Sequence, residues 1–227
     1  MKAWEALGDS STPDGTDIQL RRRDGEYLIL ANGKPLMSSR LHGSEEELAR
    51  LGCARARTLE QPRVLVGGLG MGFTLRAVLD VLPSNAVVTV AELVPAVIEW
   101  NRGPLGALAG NPMRDPRVRI QAIDVGFTLR ANPGRFDAVL LDTDNGPAAF
   151  TSADNAGLYD NAGVAAAFEA LRPGGTLAVW SAWEDRKFEQ RLRFYGFLVE
   201  VERVRARLHK GGPRHTIFVA HKTPAGR

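Results

Sequence analysis

The sequence predicts an α/β fold in which a mostly parallel sheet is covered by helices on both faces. From Arg63 onward, short apolar runs typical of buried strands alternate with helix-like patterns. The last two apolar runs, over residues 197–206 and 215–222, have no helix between them and predict an antiparallel hairpin. The first 43 residues carry hairpin signals instead and predict a small β-meander. We therefore expect two domains, a β-meander over 1–43 and a Rossmann-like domain over 44–227.

The N-terminal segment is predicted as strands that are joined by tight turns. DIQLRRR and EYLILANG lie on either side of Asp24-Gly25, and Asn32-Gly33 follows the second of them. Both dipeptides suit the positive φ angles of a two-residue hairpin turn. GSEEELARLGC then predicts a helix with Ser44 as N-cap and Glu47 in a capping box. We expect the acidic residues 45–47 to face solvent.

The remaining segments alternate in the order of an α/β domain. Strands are predicted, in order, from RVLVG, AVVTVAE, RVRIQAID, FDAVLLD and TLAVWSA, and helices from FTLRAVLDVL, VPAVIEWNRG, NAGVAAAFEAL and DRKFEQRLRFYG. FLVEVERVRA and HTIFVAHK form the terminal antiparallel pair. This order fits the seven-stranded methyltransferase sheet better than the sheet of a dinucleotide dehydrogenase.

Composition excludes several classes of function. A single cysteine, Cys53, rules out an intrachain disulfide and a multi-cysteine metal site, and no His/Asp/Glu cluster has metal-ligand spacing, so no metal is expected. No apolar run approaches the roughly 18 residues of a membrane span, and the N-terminus lacks a signal peptide's apolar stretch. We therefore expect a cytoplasmic protein with no membrane partner.

The charge of +3 and the pI of 9.3 raise the question of a nucleic-acid partner. Basic residues gather at 21–23 and 203–215, but aromatic residues are not interleaved with them and no binding motif is present. Solvated strand faces explain both runs, so a nucleic-acid partner is not favoured.

The glycine-rich stretch RVLVGGLGMG points to a ligand. Gly68, Gly70 and Gly72 directly follow the first strand of the parallel sheet, where ligands approach the backbone and the positive end of a helix. A structural turn is the alternative, because this spacing is not the strict dinucleotide fingerprint.

Acidic residues at the ends of three strands favour the ligand interpretation. Glu92 ends the second strand, where a carboxylate can accept hydrogen bonds from both ribose hydroxyls. Asp124 ends the third strand and can accept a bond from an adenine amine, and Asp142 ends the fourth. Met71 and Phe73 crowd the place of a pyrophosphate. An adenosyl-sulfonium ligand is therefore favoured over a dinucleotide.

Six segments of this chain resemble, in order, the blocks of the spermidine synthase (polyamine aminopropyltransferase) family. They are RVLVGGLGMGFTLRAVL, VVTVAELVPAVIEWNR, DPRVRIQAIDV, FDAVLLDTDNGPA, GLYDNAG and ALRPGGTLAV. The resemblance implies a class I methyltransferase fold behind a small N-terminal β domain. It also implies a homodimer, a small-molecule acceptor such as an amine, and S-adenosylmethionine or its decarboxylated form as donor.

The resemblance also implies roles for particular residues. Asp142 matches the aspartate that takes the proton of the amine, and Asp144 lies near the family's second carboxylate. Tyr159 matches the tyrosine of a substrate block, and Trp183 is a candidate for the acceptor pocket. The predicted donor-binding residues are Gly68, Leu69, Gly70, Gly72, Glu92, Leu93, Asp124 and Val125.

Departures from the family pattern decide between the possible reactions. The family has an aspartate for the aminopropyl ammonium in its glycine loop, where this chain has Met71, and Leu36 stands in place of a glutamine. The sequence therefore favours methyl transfer from S-adenosylmethionine to a small molecule. Aminopropyl transfer from decarboxylated S-adenosylmethionine is the alternative, and a nucleoside-binding module without catalysis is a third possibility.

Overall fold

A computed structural model describes residues 2–143, 147, 157–207 and 212–224. Its strands are β1 Glu5–Ser11, β2 Asp17–Arg23, β3 Glu26–Ala31, β4 Lys34–Ser38, β5 Arg63–Gly67, β6 Val87–Glu92, β7 Val118–Ala122, β8 Phe136–Leu141, β9 Leu171–Ser181, β10 Phe197–Arg205 and β11 Arg214–Lys222. Its α-helices are α1 Gly43–Gly52, α2 Phe73–Val81, α3 Pro95–Arg102, α4 Val125–Ala131, α5 Asn161–Ala170 and α6 Arg186–Phe194.

The strands form a large sheet of seven strands and a small sheet of four. The large sheet has the order β10-β11-β9-β8-β5-β6-β7. Strands β7, β6, β5, β8 and β9 are parallel to one another, and β11 pairs antiparallel with both β9 and β10. The predicted Rossmann-like seven-stranded methyltransferase sheet with a C-terminal antiparallel hairpin is confirmed. Because β5 pairs with β6 on one side and β8 on the other, the strand order reverses at β5, and ligands bind at such reversals.

The N-terminal sheet is antiparallel, in the order β1-β2-β3-β4. Asp24 and Gly25 have φ angles of 48° and 80°, and Asn32 and Gly33 have 48° and 73°, as the two predicted tight turns require. Strand β1 was not predicted, because EALGDSS is polar and contains a glycine, both unfavourable in a strand. It pairs with β2, with an irregularity between Ala6 and Gly8.

Helix α1 differs from its prediction. His42 is the N-cap and makes no side-chain capping bond, so the predicted capping box of Ser44 and Glu47 is wrong. The helix begins before Ser44, and its 3.6-residue period places Glu45 on one face with Leu48 and Gly52. That face packs on the large sheet, where a Cβ on Gly52 would lie 2.9 Å from Cβ of Ala178. The expectation that Glu45 faces solvent is therefore also wrong.

Two smaller differences concern chain segments between strands. Helix α4 was not predicted; it begins after Asp124, whose carboxylate accepts a 2.8 Å bond from Phe127 N. Residues 172–175, which lie between the predicted helix NAGVAAAFEAL and the predicted strand TLAVWSA, belong to β9.

The large sheet separates two apolar layers. Val64 and Val66 of β5 face one layer, which also contains Leu20 and Ile29 of the small sheet and Leu48 of α1. Leu65 faces the other layer, between the sheet and helices α4, α5 and α6. None of the helices that the structure describes is long and apolar enough to cross a membrane.

Candidate active site

A cavity of about 340 Å³ lies at the carboxyl ends of β5, β6 and β8. This is the size range of small-molecule sites in proteins. Its walls come from the glycine loop, from the ends of β6, β8 and β9, from α1, and from β11. Residues of the small sheet, from Thr12 to Met37, supply a further wall.

The glycine loop brings bare backbone to the cavity. Gly68 and Gly70 line it with φ angles of 90° and 50°, which side chains rarely tolerate. A Cβ on Gly68 would lie 2.4 Å from the carbonyl oxygen of Asp142, and a Cβ on Gly70 would lie 2.7 Å from Cε of Met37. The glycines are therefore required by the close approach of protein segments, and both also line the cavity.

Glu92 is held rigidly at the end of β6. It is 7% exposed and lines the cavity. Its Oε2 accepts a 2.8 Å bond from Leu69 N, and its Oε1 accepts a 2.8 Å bond from Val94 N. These two bonds fix the carboxylate between the glycine loop and the start of α3, at the wall of the cavity.

Residues after β6 and β7 complete this side of the cavity. Leu93, Asp124 and Val125 all line it, as does Gly68. Val125 also packs under the glycine loop, because a Cβ on Gly67 would lie 2.8 Å from its Cγ2. We call Gly68, Gly70, Glu92, Asp124 and Val125 the strand-end wall.

Asp142 lies at the end of β8 and lines the cavity. Its backbone N–H donates a 2.9 Å bond to the carbonyl of Gly67, and its Oδ2 accepts a bond from Thr74 Oγ1 in the first turn of α2. The carboxylate is thereby fixed beside the glycine loop. The second predicted catalytic residue, Asp144, lies outside the residues that the structure describes.

A buried carboxyl group from α1 faces the same cavity. Glu45 is 6% exposed, and its Oε2 accepts a 2.7 Å bond from Ser44 Oγ. Ser44 Oγ also lies 2.9 Å from Nδ1 of His215, on β11. When Glu45 is ionised, the single hydroxyl proton of Ser44 goes to Glu45, and Nδ1 of His215 is then the donor in the second bond. His215 packs edge-on against Trp180 at 4.6 Å between ring centres.

The surroundings change how Glu45 and His215 titrate. Burial, and then repulsion by Asp142, raise the pKa of Glu45 to about 8, although the bond from Ser44 acts in the opposite direction. Burial lowers the pKa of His215, so its neutral form is favoured. We call Ser44, Glu45, Trp180 and His215 the α1 wall.

Charge is distributed one-sidedly around the cavity. The described residues that line it include the carboxyl groups of Asp14, Glu45, Glu92, Asp124 and Asp142, and they include no lysine or arginine. A hydrogen bond from Thr12 lowers the pKa of Asp14, which keeps that group ionised. Cations are therefore favoured in the cavity and anions are disfavoured.

The structure brings most of the predicted site residues together. Gly68, Gly70, Glu92, Leu93, Asp124, Val125, Asp142 and Trp183 all line the one cavity. Trp183 is 54% exposed, consistent with a position at the rim.

Three predicted site residues that the structure describes do not line the cavity themselves but lie next to residues that do. Leu69 is buried and presents its backbone N–H to Glu92, and Gly72 is the N-cap of α2. Tyr159 is buried, and its hydroxyl lies 2.7 Å from Oγ1 of Thr143, a cavity residue. Tyr159 also packs edge-on against Phe188, at 5.7 Å.

Met71 does not meet a ligand. Its side chain is 1% exposed and belongs to the apolar layer below the cavity. The sequence argument for methyl transfer is that the loop lacks a counter-charge for the aminopropyl ammonium, and the burial of Met71 leaves that argument standing. Glu45, a carboxyl group that lines the same cavity, comes from α1 and not from the loop.

The sequence analysis missed Glu45 as a site residue and gave no role to His215. The spacing of Glu45, Leu48, Ala49 and Gly52 is a helical face and could have indicated that Glu45 is buried. His215 reaches the cavity only through the pairing of β11 with β9, which the sequence does not reveal. Cys53 is buried, and burial raises its pKa to about 12, so it is not a nucleophile.

No group of three or more His, Cys, Asp or Glu in the described ranges is arranged to hold a metal ion.

Three solved structures with the same fold are spermidine synthases. The spermidine synthase in complex with the transition-state analogue AdoDATO superposes with a TM-score of 0.72 at 18% identity, over 97% of this chain and 73% of the other. The spermidine synthase from Thermotoga maritima gives 0.73 at 18% identity, with the same coverage of both chains. A probable spermidine synthase from Corynebacterium glutamicum ATCC 13032 gives 0.67 at 18% identity, over 98% of this chain and 81% of the other.

By sequence, no protein-family model and no curated protein matches this chain. At 18% identity the structural likeness establishes the fold, including the N-terminal sheet, and leaves the reaction to be argued from the cavity.

Proposed function

We propose that this protein transfers an aminopropyl group from decarboxylated S-adenosylmethionine to an amine. The observation that carries the proposal is the acidic cavity wall, with five carboxyl groups and no lysine or arginine among its described residues. The decarboxylated donor carries a sulfonium and an ammonium group and no carboxylate, so its charge is complementary to this wall. S-adenosylmethionine would bring its own carboxylate into a cavity without a cationic side chain.

The strand-end wall fits the adenosine part of the donor. Glu92 is oriented to accept bonds from the ribose hydroxyls, and Asp124 and Val125 are placed to meet the adenine. Gly68 and Gly70 expose backbone to the ligand, and the cavity of about 340 Å³ has room for a nucleoside. The structures of spermidine synthases with this fold support the same assignment.

Asp142 is positioned to prepare the acceptor. An amine reaches the cavity as an ammonium ion, and Asp142 accepts its proton. The nitrogen lone pair then forms a bond to the carbon beside sulfur, while the carbon–sulfur bond breaks and its electron pair stays on sulfur, which leaves as a neutral thioether. Because the leaving group is already good, the protein's main contributions are alignment and exclusion of water.

A product analysis tests this proposal. The purified protein is incubated with decarboxylated S-adenosylmethionine or S-adenosylmethionine and a panel of mono- and diamines, and the nucleoside product is identified by mass spectrometry. Aminopropyl transfer predicts methylthioadenosine and an amine heavier by one aminopropyl group, from the decarboxylated donor only. Formation of S-adenosylhomocysteine, or no turnover with any amine, would contradict it.

Methyl transfer from S-adenosylmethionine remains the second candidate. The observation in its favour is the glycine loop, which carries Met71 where the resembling family has a carboxylate. The product analysis separates the two reactions, since methyl transfer leaves S-adenosylhomocysteine.

A further inference from the structure

The α1 wall contains a carboxyl group that the proposed reaction has not yet used. Asp142 serves the reacting nitrogen and Glu92 the ribose, whereas Glu45 lines the same cavity with no role. A buried carboxyl group is costly unless it has partners or a function. The Glu45 carboxyl accepts a 2.7 Å bond from Ser44 within the same helix, and Asp142 repels its ionised form.

Three segments distant in sequence converge on this group. Ser44 and Glu45 come from the first turns of α1, His215 comes from β11 171 residues later, and Asp142 comes from β8. Gly52 allows α1 to approach β8 and β9 closely, which brings Glu45 over the carboxyl edge of the sheet. The group is therefore fixed in position rather than carried on a mobile side chain.

We propose that Glu45 is the residue that binds a primary ammonium group in this cavity, with Ser44 and His215 as positioning residues. This inference rests on the proposed aminopropyl transfer. The ammonium group has two sources, the aminopropyl arm of the donor or the distal nitrogen of a diamine acceptor. In the first case Glu45 takes the role of the carboxyl group that the glycine loop lacks.

The hydrogen-bond directions agree with this assignment. Ser44 donates to one oxygen of Glu45, which favours the ionised form, and Nδ1 of His215 can donate to Ser44 in turn when Glu45 is ionised. An arriving ammonium supplies the missing counter-charge. Since the pKa of Glu45 is about 8 without ligand, the group is mostly protonated at pH 7 and loses its proton when the ammonium binds.

Other charged groups near Glu45 disfavour its carboxylate form when no cation is bound. Asp142 and Glu46 both repel its ionised form. Asp14 lines the same cavity from the turn between β1 and β2, and burial keeps His215 mostly neutral. A cation is therefore the component that stabilises the Glu45 carboxylate.

Calorimetry on the full chain tests the inference, using Glu45→Gln and the matched control Glu47→Gln. Glu47 lies on the same helix outside the cavity, where it binds Arg50 at 2.8 Å. The ligands are decarboxylated S-adenosylmethionine and methylthioadenosine, which lacks the ammonium arm. We expect Glu45→Gln to lower the affinity for decarboxylated S-adenosylmethionine at least tenfold and the affinity for methylthioadenosine less than twofold. Glu47→Gln should leave both affinities unchanged.

Kinetics with different acceptors test whether the ammonium group that Glu45 binds belongs to the acceptor. If donor binding is unchanged in Glu45→Gln but KM for a diamine rises at least tenfold and KM for a matched monoamine does not, the ammonium belongs to the acceptor. Equal binding and kinetics in wild type and Glu45→Gln would overturn the inference. Equal weakening of both nucleosides would also overturn it, because the role would then be structural.

A measurement on the wild-type protein avoids any folding defect of the variant. Titrations at pH 7 in two buffers of different ionisation enthalpy report protons released on binding. We expect a release approaching one proton with decarboxylated S-adenosylmethionine, or with the diamine if the ammonium belongs to the acceptor, and none with methylthioadenosine. No proton release with either ammonium-bearing ligand would overturn the inference. If wild type binds neither nucleoside, the proposed function itself fails, and the inference fails with it.

Discussion

The strand-end wall and the α1 wall face each other across one cavity but are built differently. The strand-end wall comes from consecutive units of the parallel sheet, so each of its residues follows a strand end, as the fold dictates. The α1 wall combines one helix with the ends of β9 and β11. The first wall carries features common to nucleoside sites, whereas the second carries what is particular to this chain. Specificity for the transferred group and the acceptor is therefore expected to come from the α1 wall.

Asp142 stands between the two walls, and its loss should have the largest effect. Asp142→Asn keeps the bond from Thr74 within reach but cannot take a proton at neutral pH. We expect turnover to fall about 10²- to 10⁴-fold, the usual contribution of a general base, with donor affinity within about threefold of wild type. Asp80→Asn, an exposed change on α2, is the control. Full activity of Asp142→Asn would show that Asp142 is not the general base.

The α1 wall should make the stability of the unliganded protein fall as pH rises. The pKa of Glu45 is about 8 in the folded state, above its ordinary 4.5, so between these values the folded state holds a proton that the unfolded state has released. This contribution is complete below about pH 4.5 and is lost as pH approaches 8.

Glu45→Gln should remove that pH dependence. In urea unfolding, its free energy of unfolding should exceed that of wild type increasingly from pH 5 to pH 9, by on the order of a few kcal/mol at the upper end. A difference between the two proteins that is constant with pH would show that Glu45 titrates normally.

The strand-end wall should respond through nucleoside affinity. Glu92→Gln keeps the length of the side chain but replaces one oxygen, which accepts a backbone bond, with an NH₂ group. We expect affinity for methylthioadenosine to fall about 10- to 100-fold, since bonds to a charged group contribute about 1.5–3 kcal/mol. Glu99→Gln, exposed on α3, should match wild type. If Glu92→Gln binds methylthioadenosine as tightly as wild type, Glu92 does not bind the ribose.

A smaller effect is expected from the glycine loop. Gly68→Ala places a Cβ 2.4 Å from the carbonyl oxygen of Asp142 at a φ of 90°, so both strain and a backbone clash oppose it. Gly25→Ala, with a φ of 80° and no atom within 4 Å of its Cβ, carries the strain alone. We expect thermal unfolding to show a loss of about 1 kcal/mol for Gly25→Ala and at least twice that for Gly68→Ala. Equal losses would mean that the loop relaxes away from Asp142.

Much of the strand-end wall could be predicted from the sequence. Apolar runs followed by Gly68, Glu92, Asp124 and Asp142 identify strand ends, and parallel strands place those ends at one edge. The mostly parallel seven-stranded sheet, its terminal hairpin and both N-terminal turns were predicted for the same reason, because each depends on local pattern and standard topology.

The α1 wall could not be predicted because it depends on tertiary packing. The start of α1 differs from the capping pattern, and this shift turns Glu45 from solvent to the cavity. His215 is placed by the register of β11 on β9, where Thr216 lies opposite Ser181. The direction of the Met71 side chain was misjudged, because nothing in the loop sequence indicated that it points into the apolar layer.

The relative affinity of wild-type protein for the two donors tests the central claim most directly. Calorimetric titration with decarboxylated S-adenosylmethionine and with S-adenosylmethionine compares ligands that differ only by a carboxylate. An acidic wall without a cationic side chain predicts that the decarboxylated donor binds at least tenfold more tightly. Equal affinity, or preference for S-adenosylmethionine, would contradict it.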